Sequence, residues 1–157
     1  MEFKFTEENR TRVDAAIKKY PVAKAAVMEC LYIAQEQNGY ITNEVMQEIA
    51  SILQIDPVEV LSVVTFYTMY HKKPVGKYHV QVCTNVSCML KGGYEIMDKV
   101  VEKLGIKADQ VTPDNKFSIE EVECMGACGS APMMSVNYDY YENLTKEKVS
   151  EILDSLK

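Results

Sequence analysis

The sequence predicts an α+β protein in two parts: a four-helix bundle over residues 1–74, then a mixed sheet with helices packed on it over residues 75–157. Three observations carry this. Apolar residues recur with a helical period through the first 70 residues. The run His71-Lys72-Lys73-Pro74-Val75-Gly76 then breaks the pattern and reads as a linker. Beyond it the period falls to two, and the elements follow as strand, helix, strand, strand, strand, helix. A length of 157 residues suits one ordinary domain or a small domain with a helical extension.

The first helix is carried by Val13, Ala16, Ile17 and Tyr20, and Pro21 stops it. The second runs through Val27, Cys30, Leu31 and Ala34 to Asn38-Gly39, a C-terminal cap. The third follows Thr42-Asn43 with Val45, Met46, Ile49, Ile52 and Leu53. The fourth opens on Asp56-Pro57-Val58-Glu59, where Asp56 caps, Pro57 takes the first helical position and Glu59 completes a capping box. Its apolar face is Val60, Leu61, Val64, Tyr67 and Thr68.

In the second part Tyr78, Val80 and Val82 alternate with His79 and Gln81 in a strand that runs into Cys83. Gly92-Gly93 introduces a helix with Ile96, Met97, Val100, Val101 and Leu104, closed by Gly105. Thr112-Pro113-Asp114-Asn115 is a turn. Strands are expected over Phe117 to Cys124, Pro132 to Val136 and Tyr140 to Asn143, with a hairpin turn at Asn137-Tyr138-Asp139. Thr145 caps a final helix whose buried stripe is Val149, Ile152, Leu153 and Leu156.

A formal net charge of −6, with no basic run longer than Lys72-Lys73, excludes a nucleic-acid role. Residues 1–7 hold no apolar stretch of signal-peptide length, and no segment approaches the roughly 18 apolar residues of a membrane span. The expectation is a soluble, cytoplasmic protein with no direct membrane insertion.

Four of the five cysteines fall into two tight pairs, Cys83 and Cys88 with four residues between them, and Cys124 and Cys128 with three. Thiols are rarely so close in a cytoplasmic chain unless something binds or bridges them. Both pairs follow strand ends, so neighbouring strands would collect all four sulfurs in one crevice. Two irons bridged by two sulfides need four soft donors, two per iron. Zinc also accepts four thiolates but favours pairs separated by two residues. A redox dithiol wants that same separation, and a secreted disulfide scaffold conflicts with the missing signal and the ample core. Four cysteines also suit a [4Fe–4S] cluster by count, although bacterial clusters of that type draw three ligands from one tight run. The signal is for a metal site, with [2Fe–2S] favoured.

Cys30 sits in a helix stripe and reads as a small buried hydrophobe. His79 reads as solvated on the polar side of its strand, and His71 as a surface residue. Gly92-Gly93 could face an anion but is explained by a turn into the helix. Glu120, Glu121 and Glu123 add negative charge before Cys124, opposed by amides near Gly126 and Gly129. The expected potential is therefore low, nearer to the about −400 mV of plant-type ferredoxins than to Rieske centres.

In these residues the chain resembles a known family, the small [2Fe–2S] subunit of NADH:quinone oxidoreductase (respiratory complex I). The family includes the matching subunits of NAD(P)-linked or electron-bifurcating hydrogenases and formate dehydrogenases. The matching residues include Gln35, Asn38-Gly39-Tyr40-Ile41, Thr65-Phe66-Tyr67-Thr68-Met69-Tyr70 and Gly76-Lys77-Tyr78. They continue through Val82-Cys83, Cys88-Met89-Leu90, Leu104-Gly105-Ile106, Thr112-Pro113-Asp114, Phe117 and Glu121-Val122-Glu123-Cys124. Gly126-Ala127-Cys128, Ala131-Pro132-Met133 and Tyr140-Tyr141-Glu142-Asn143-Leu144-Thr145 complete them. The resemblance implies a thioredoxin-like [2Fe–2S] ferredoxin domain after the helical one, with one cluster on Cys83, Cys88, Cys124 and Cys128. It implies a larger flavoprotein partner that binds FMN and NAD(H), single electrons arriving from reduced flavin, and no nicotinamide site on this chain. Any dehydrogenase activity then belongs to the complex, which would hold the chain at the inner face of the cytoplasmic membrane. Phe66, Tyr67, Met69 and Tyr70 either form part of a docking surface or pack the fourth helix.

Overall fold

The structure, a computed structural model, describes residues 2–156, and its internal contacts divide it between Pro74 and Val75 into two units. The first holds four α-helices: α1 Glu7–Lys18, α2 Val27–Asn38, α3 Asn43–Leu53 and α4 Pro57–Phe66, with a short 3₁₀ turn Ala23–Ala26 before α2. Side-chain caps set three of the starts. Thr6 accepts from the Asn9 amide, Thr42 from that of Val45 and Asp56 from that of Val58, each cap stabilising by about 1 kcal/mol. Gly39, at φ 84°, ends α2 in the left-handed conformation that glycine adopts without cost. The carboxylate of Glu59 forms an ion pair with Lys24 and lies within reach of the Asp56 backbone N–H; the lysine, first, holds its pKa below the ordinary range.

Val13, Leu31, Ala34, Val45, Ile49, Leu53, Val60 and Val64 form the core of this unit, with Cys30 among them as expected. Two stripes stop short of their expected length. Helix α1 ends at Lys18, and Tyr20 is exposed, because the residue preceding a proline is driven out of helical geometry. Helix α4 buries Val60 and Val64 only; Leu61 and Thr68 face outward. Its cap Tyr67 is extended, so the chain folds back across the core. Tyr70 is then fully buried, with its hydroxyl donating to Met28 O at 3.1 Å and its ring 5.3 Å from that of Tyr32. Gln35 holds the returning strand of chain by donating to Met69 O at 3.0 Å and accepting from His71 N at 2.7 Å. Of the four residues read as docking or packing, Tyr70 is thus core, whereas Phe66 is 78% exposed.

The second unit holds β1 Tyr78–Cys83, α5 Val86–Leu90, α6 Gly93–Leu104, β2 Phe117–Val122, β3 Met134–Val136, β4 Asp139–Tyr141 and α7 Lys146–Ser155. The sheet order is β2-β1-β3-β4, with β1 parallel to β2 and antiparallel to β3, and β3 antiparallel to β4. Val80, Val82, Ile119, Met134 and Val136 line one face and pack with Ile96, Met97 and Val100 of α6 and Val149 and Leu153 of α7. The hairpin turns at Asn137, which takes a left-handed φ of 56°.

The other face carries His79, Gln81, Ser118, Glu120 and Ser135. His79 is not solvated: it is 6% exposed. Its Nδ1 lies 2.8 Å from Ser118 Oγ and its Nε2 3.0 Å from Glu120 Oε2, which also accepts from Gln81 Nε2 at 2.8 Å. The parallel register sets His79 beside Ser118, so polar partners replace water on that face. Gly76 belongs to this packing, since a Cβ there would lie 2.4 Å from the Phe117 carbonyl carbon. Among the described residues, no helix is long and apolar enough to cross a membrane.

Candidate metal centre

Strands β1 and β2 run side by side in register from Tyr78 opposite Phe117 to Cys83 opposite Val122. Being parallel, they deliver their following loops to the same end of the sheet. Cys83 ends β1 and Cys88 lies in the segment after it, and the loop after β2 carries Cys124 and Cys128. Strand β2 ends at Val122, two residues before the expected Cys124, because its partner strand ends there.

The first loop is not open coil. Asn85 Oδ1 accepts from the Val86 amide at 2.6 Å and starts the five-residue helix α5, which carries Cys88 inward. Gly93 permits α6 to begin against it, since a Cβ there would sit 2.9 Å from the carbonyl of Cys88. Cys83 and Cys88 are buried with Met133, ringed by Val122, Met125, Ala127 and Ala131. The second loop turns at Gly126, φ 81°, and its Gly126 amide donates to Cys124 Sγ at 3.4 Å. Cys124 and Cys128 are exposed, with their Sγ atoms 3.8 Å apart.

The two loops are laced together. Cys83 Sγ donates to Glu123 O at 3.2 Å, Thr84 Oγ1 to Glu121 at 2.7 Å and Asn85 Nδ2 to Glu123 at 3.1 Å. Glu121 and Glu123 therefore tie one cysteine-bearing segment to the other rather than only facing solvent.

Burial pushes the Cys88 thiol up to about 11, reinforced by its hydrogen bond with Cys83, while the Met133 amide acts in the opposite sense. The Cys128 thiol is raised by its hydrogen bond with Cys124 and that neighbour's charge, and lowered by a hydrogen bond from Ser87. Cys128 also acts on Cys88, and Cys83 on Cys128, so the two pairs are electrostatic neighbours. Among the described residues, no group of three or more His, Cys, Asp or Glu side chains is gathered as a single metal ion would need. The thiols stand instead as an inner and an outer pair. Soft donors, apolar walls and backbone amides aimed at sulfur fit an iron–sulfur cluster, whose binding displaces the thiol protons.

Sequence reasoning missed α5, Ser87 and the bonds of Thr84 and Asn85. Asn85, a capping residue ahead of Val86, Cys88, Met89 and Leu90, was the available signal for the helix start.

A profile of the thioredoxin-like [2Fe–2S] ferredoxin family matches residues 13–157. The chain belongs to that family. As a thioredoxin-like [2Fe–2S] ferredoxin it carries one [2Fe–2S] cluster, which sets aside zinc and [4Fe–4S]. It is 44% identical to a protein of Rickettsia bellii (strain RML369-C) named as a subunit of NADH-quinone oxidoreductase, over 99% of this chain and 95% of that one. It is 43% identical to the mitochondrial NADH dehydrogenase [ubiquinone] flavoprotein 2 of Dictyostelium discoideum, over 99% of this chain and 64% of that one. These relatives are named as parts of an oxidoreductase complex, and this ferredoxin is a member of that subunit family. A chain of an NAD+-reducing [NiFe]-hydrogenase in the air-oxidized state shares the fold, with a TM-score of 0.71 at 16% identity, over 83% of this chain and 22% of that one.

Proposed function

We propose that this ferredoxin is the electron-transfer subunit of an NADH:quinone oxidoreductase, with Cys83, Cys88, Cys124 and Cys128 as the cluster ligands. One observation carries the ligand set: the cysteine pairs stand at and beyond the same end of adjoining parallel strands, with one thiol pair buried and the other exposed. When bound, a [2Fe–2S] cluster stores and releases one electron at a time. Cys83 and Cys88 hold the inner side, where Met133 and its apolar neighbours exclude water. Cys124 and Cys128 hold the outer side, which gives a docked partner the shorter path for an electron. The Gly126 amide offsets negative charge on the Cys124 sulfur.

The electron donor in this reading is the flavin of an NADH-oxidising flavoprotein that binds FMN and NAD(H), and the relatives named as NADH dehydrogenase subunits support it. Residues 1–74 act as a four-helix bundle domain and residues 75–157 as the cluster domain. The assembly holds the chain on the cytoplasmic side of the membrane without inserting it.

Electron paramagnetic resonance of the dithionite-reduced chain, with an iron count, tests the ligand set. The expected result is a spin-half signal with about two irons per chain, lost on Cys124→Ser and kept on Cys30→Ser. A wild-type signal from Cys124→Ser overturns it. Purification from native extract without an FMN-containing partner overturns the subunit role.

A further inference from the structure

We infer that Tyr140 is a positioning residue for the outer ligand loop, acting through its phenolic hydroxyl on the backbone between Cys124 and Cys128. This rests on the proposed ligation by those two cysteines. The loop is exposed, and within itself it holds only local bonds: the Gly126 amide to Cys124 Sγ, and Ser130 back to Ala127 O through its amide and hydroxyl. Exposed loops with few anchors open at low free energy, so the bonds that tie this one down decide how firmly it presents its sulfurs.

Cys83 and Asn85 hold its start at Glu123, and Ser87 bonds Cys128; the anchors on the backbone between and beyond the two cysteines come from β4 and the residues after it. Tyr140 Oη donates to Met125 O at 2.9 Å, in the middle of the stretch between the two cysteines. Two positions on, Glu142 accepts from Ser130 Oγ at 2.7 Å, and the Asn143 amide donates to Ser130 O at 2.8 Å. Tyr140, within β4, and Glu142, just past its end, thus hold the loop at its middle and at its end. The Tyr140 ring is 53% exposed and lies outside the sheet core. Its hydroxyl therefore contributes to the loop, and its removal spares the fold. Partners one shell out from metal ligands carry about 10- to 100-fold in metal retention.

The test uses the full-length, cluster-loaded chain. In Tyr140→Phe, visible absorption under an iron chelator in anaerobic buffer is expected to decay about tenfold faster than in wild type. Hydrogen exchange of the β1 and β3 amides of the cluster-loaded chain stays at wild-type protection, and the electron paramagnetic resonance g-values of the reduced protein shift. Ser130→Ala, which releases the other anchor, accelerates loss in the same way, and the double variant loses the cluster faster still. Wild-type retention and g-values in Tyr140→Phe overturn the inference, as does lost protection of those sheet amides, which would make the hydroxyl a general folding contact. Cys124→Ser is run in parallel. If it keeps the cluster, the ligand assignment fails; if it loses the cluster while Tyr140→Phe does not, only the role of Tyr140 fails.

Discussion

Burial raises the Cys30 thiol to about 11 from an ordinary value of 9.0, and the charge of Glu29 adds to the shift. In the unfolded chain this thiol ionises near its ordinary value, whereas in the folded chain it keeps its proton. The neutral thiol's contribution to stability is therefore fully present below about pH 9 and is lost as pH rises toward about 11. Cys30→Ala is expected to lose less stability than wild type between about pH 8 and about pH 10.5, read as the change in urea midpoint. The same burial protects Cys30 from maleimide until the chain unfolds. Gln35 acts through geometry instead. Gln35→Ala leaves Met69 O and His71 N without their partner and is expected to cost about 2–3 kcal/mol in urea unfolding. At this scale the cysteines were readable because their spacing is itself the signal. His79 was not, since alternation assigns a residue to a face without saying what lies beside it.

Elements show where periodicity stops carrying information. The long helices were legible from their stripes and caps, and strand β1 from its alternation, because one of its faces packs on apolar side chains and the other on polar ones. Helix α5 was not, since its five residues span little more than one turn. Its role depends on a close approach that no pattern encodes: Gly93, at the start of α6, touches the carbonyl of Cys88 where a Cβ would sit. Glycine costs a helix roughly 1 kcal/mol relative to alanine, so on propensity alone Gly93→Ala would stabilise α6. The contact reverses that sign. Gly93→Ala is expected to push α5 away, displace Cys88 and accelerate cluster loss to a chelator, while the α6 residues far from Cys88 keep their hydrogen-exchange protection. Retention equal to wild type would place the constraint elsewhere. The end of β2 follows the same logic of partnership, as pairing with β1 stops at Cys83 and Val122 whatever residues come next.

Across the whole molecule, the buried side chains fall into separate clusters, one in the helical unit, one between the sheet and α6 and α7, and a small one around Cys83, Cys88 and Met133. Leu31→Ala opens the helical core and is expected to cost about 2–5 kcal/mol, measured in urea, with the reduced-cluster spectrum unchanged. The charge balance gives the final expectation. The chain carries a formal net charge of −6, and Glu121 and Glu123 stand at the ligand loops, where reduction adds a further negative charge. Like charge favours the oxidised state, whereas the Gly126 amide on Cys124 Sγ favours the reduced one. The two carboxylates and the net negative charge outweigh the neutral hydrogen bonds that Gly126, Met133 and Ser87 give the sulfurs, so the midpoint is expected near that of plant-type ferredoxins, about −400 mV. A redox titration followed by electron paramagnetic resonance measures it, and Glu123→Gln is expected to raise the value. A positive midpoint in the wild-type chain would mean that sulfur hydrogen bonding outweighs the surrounding charge.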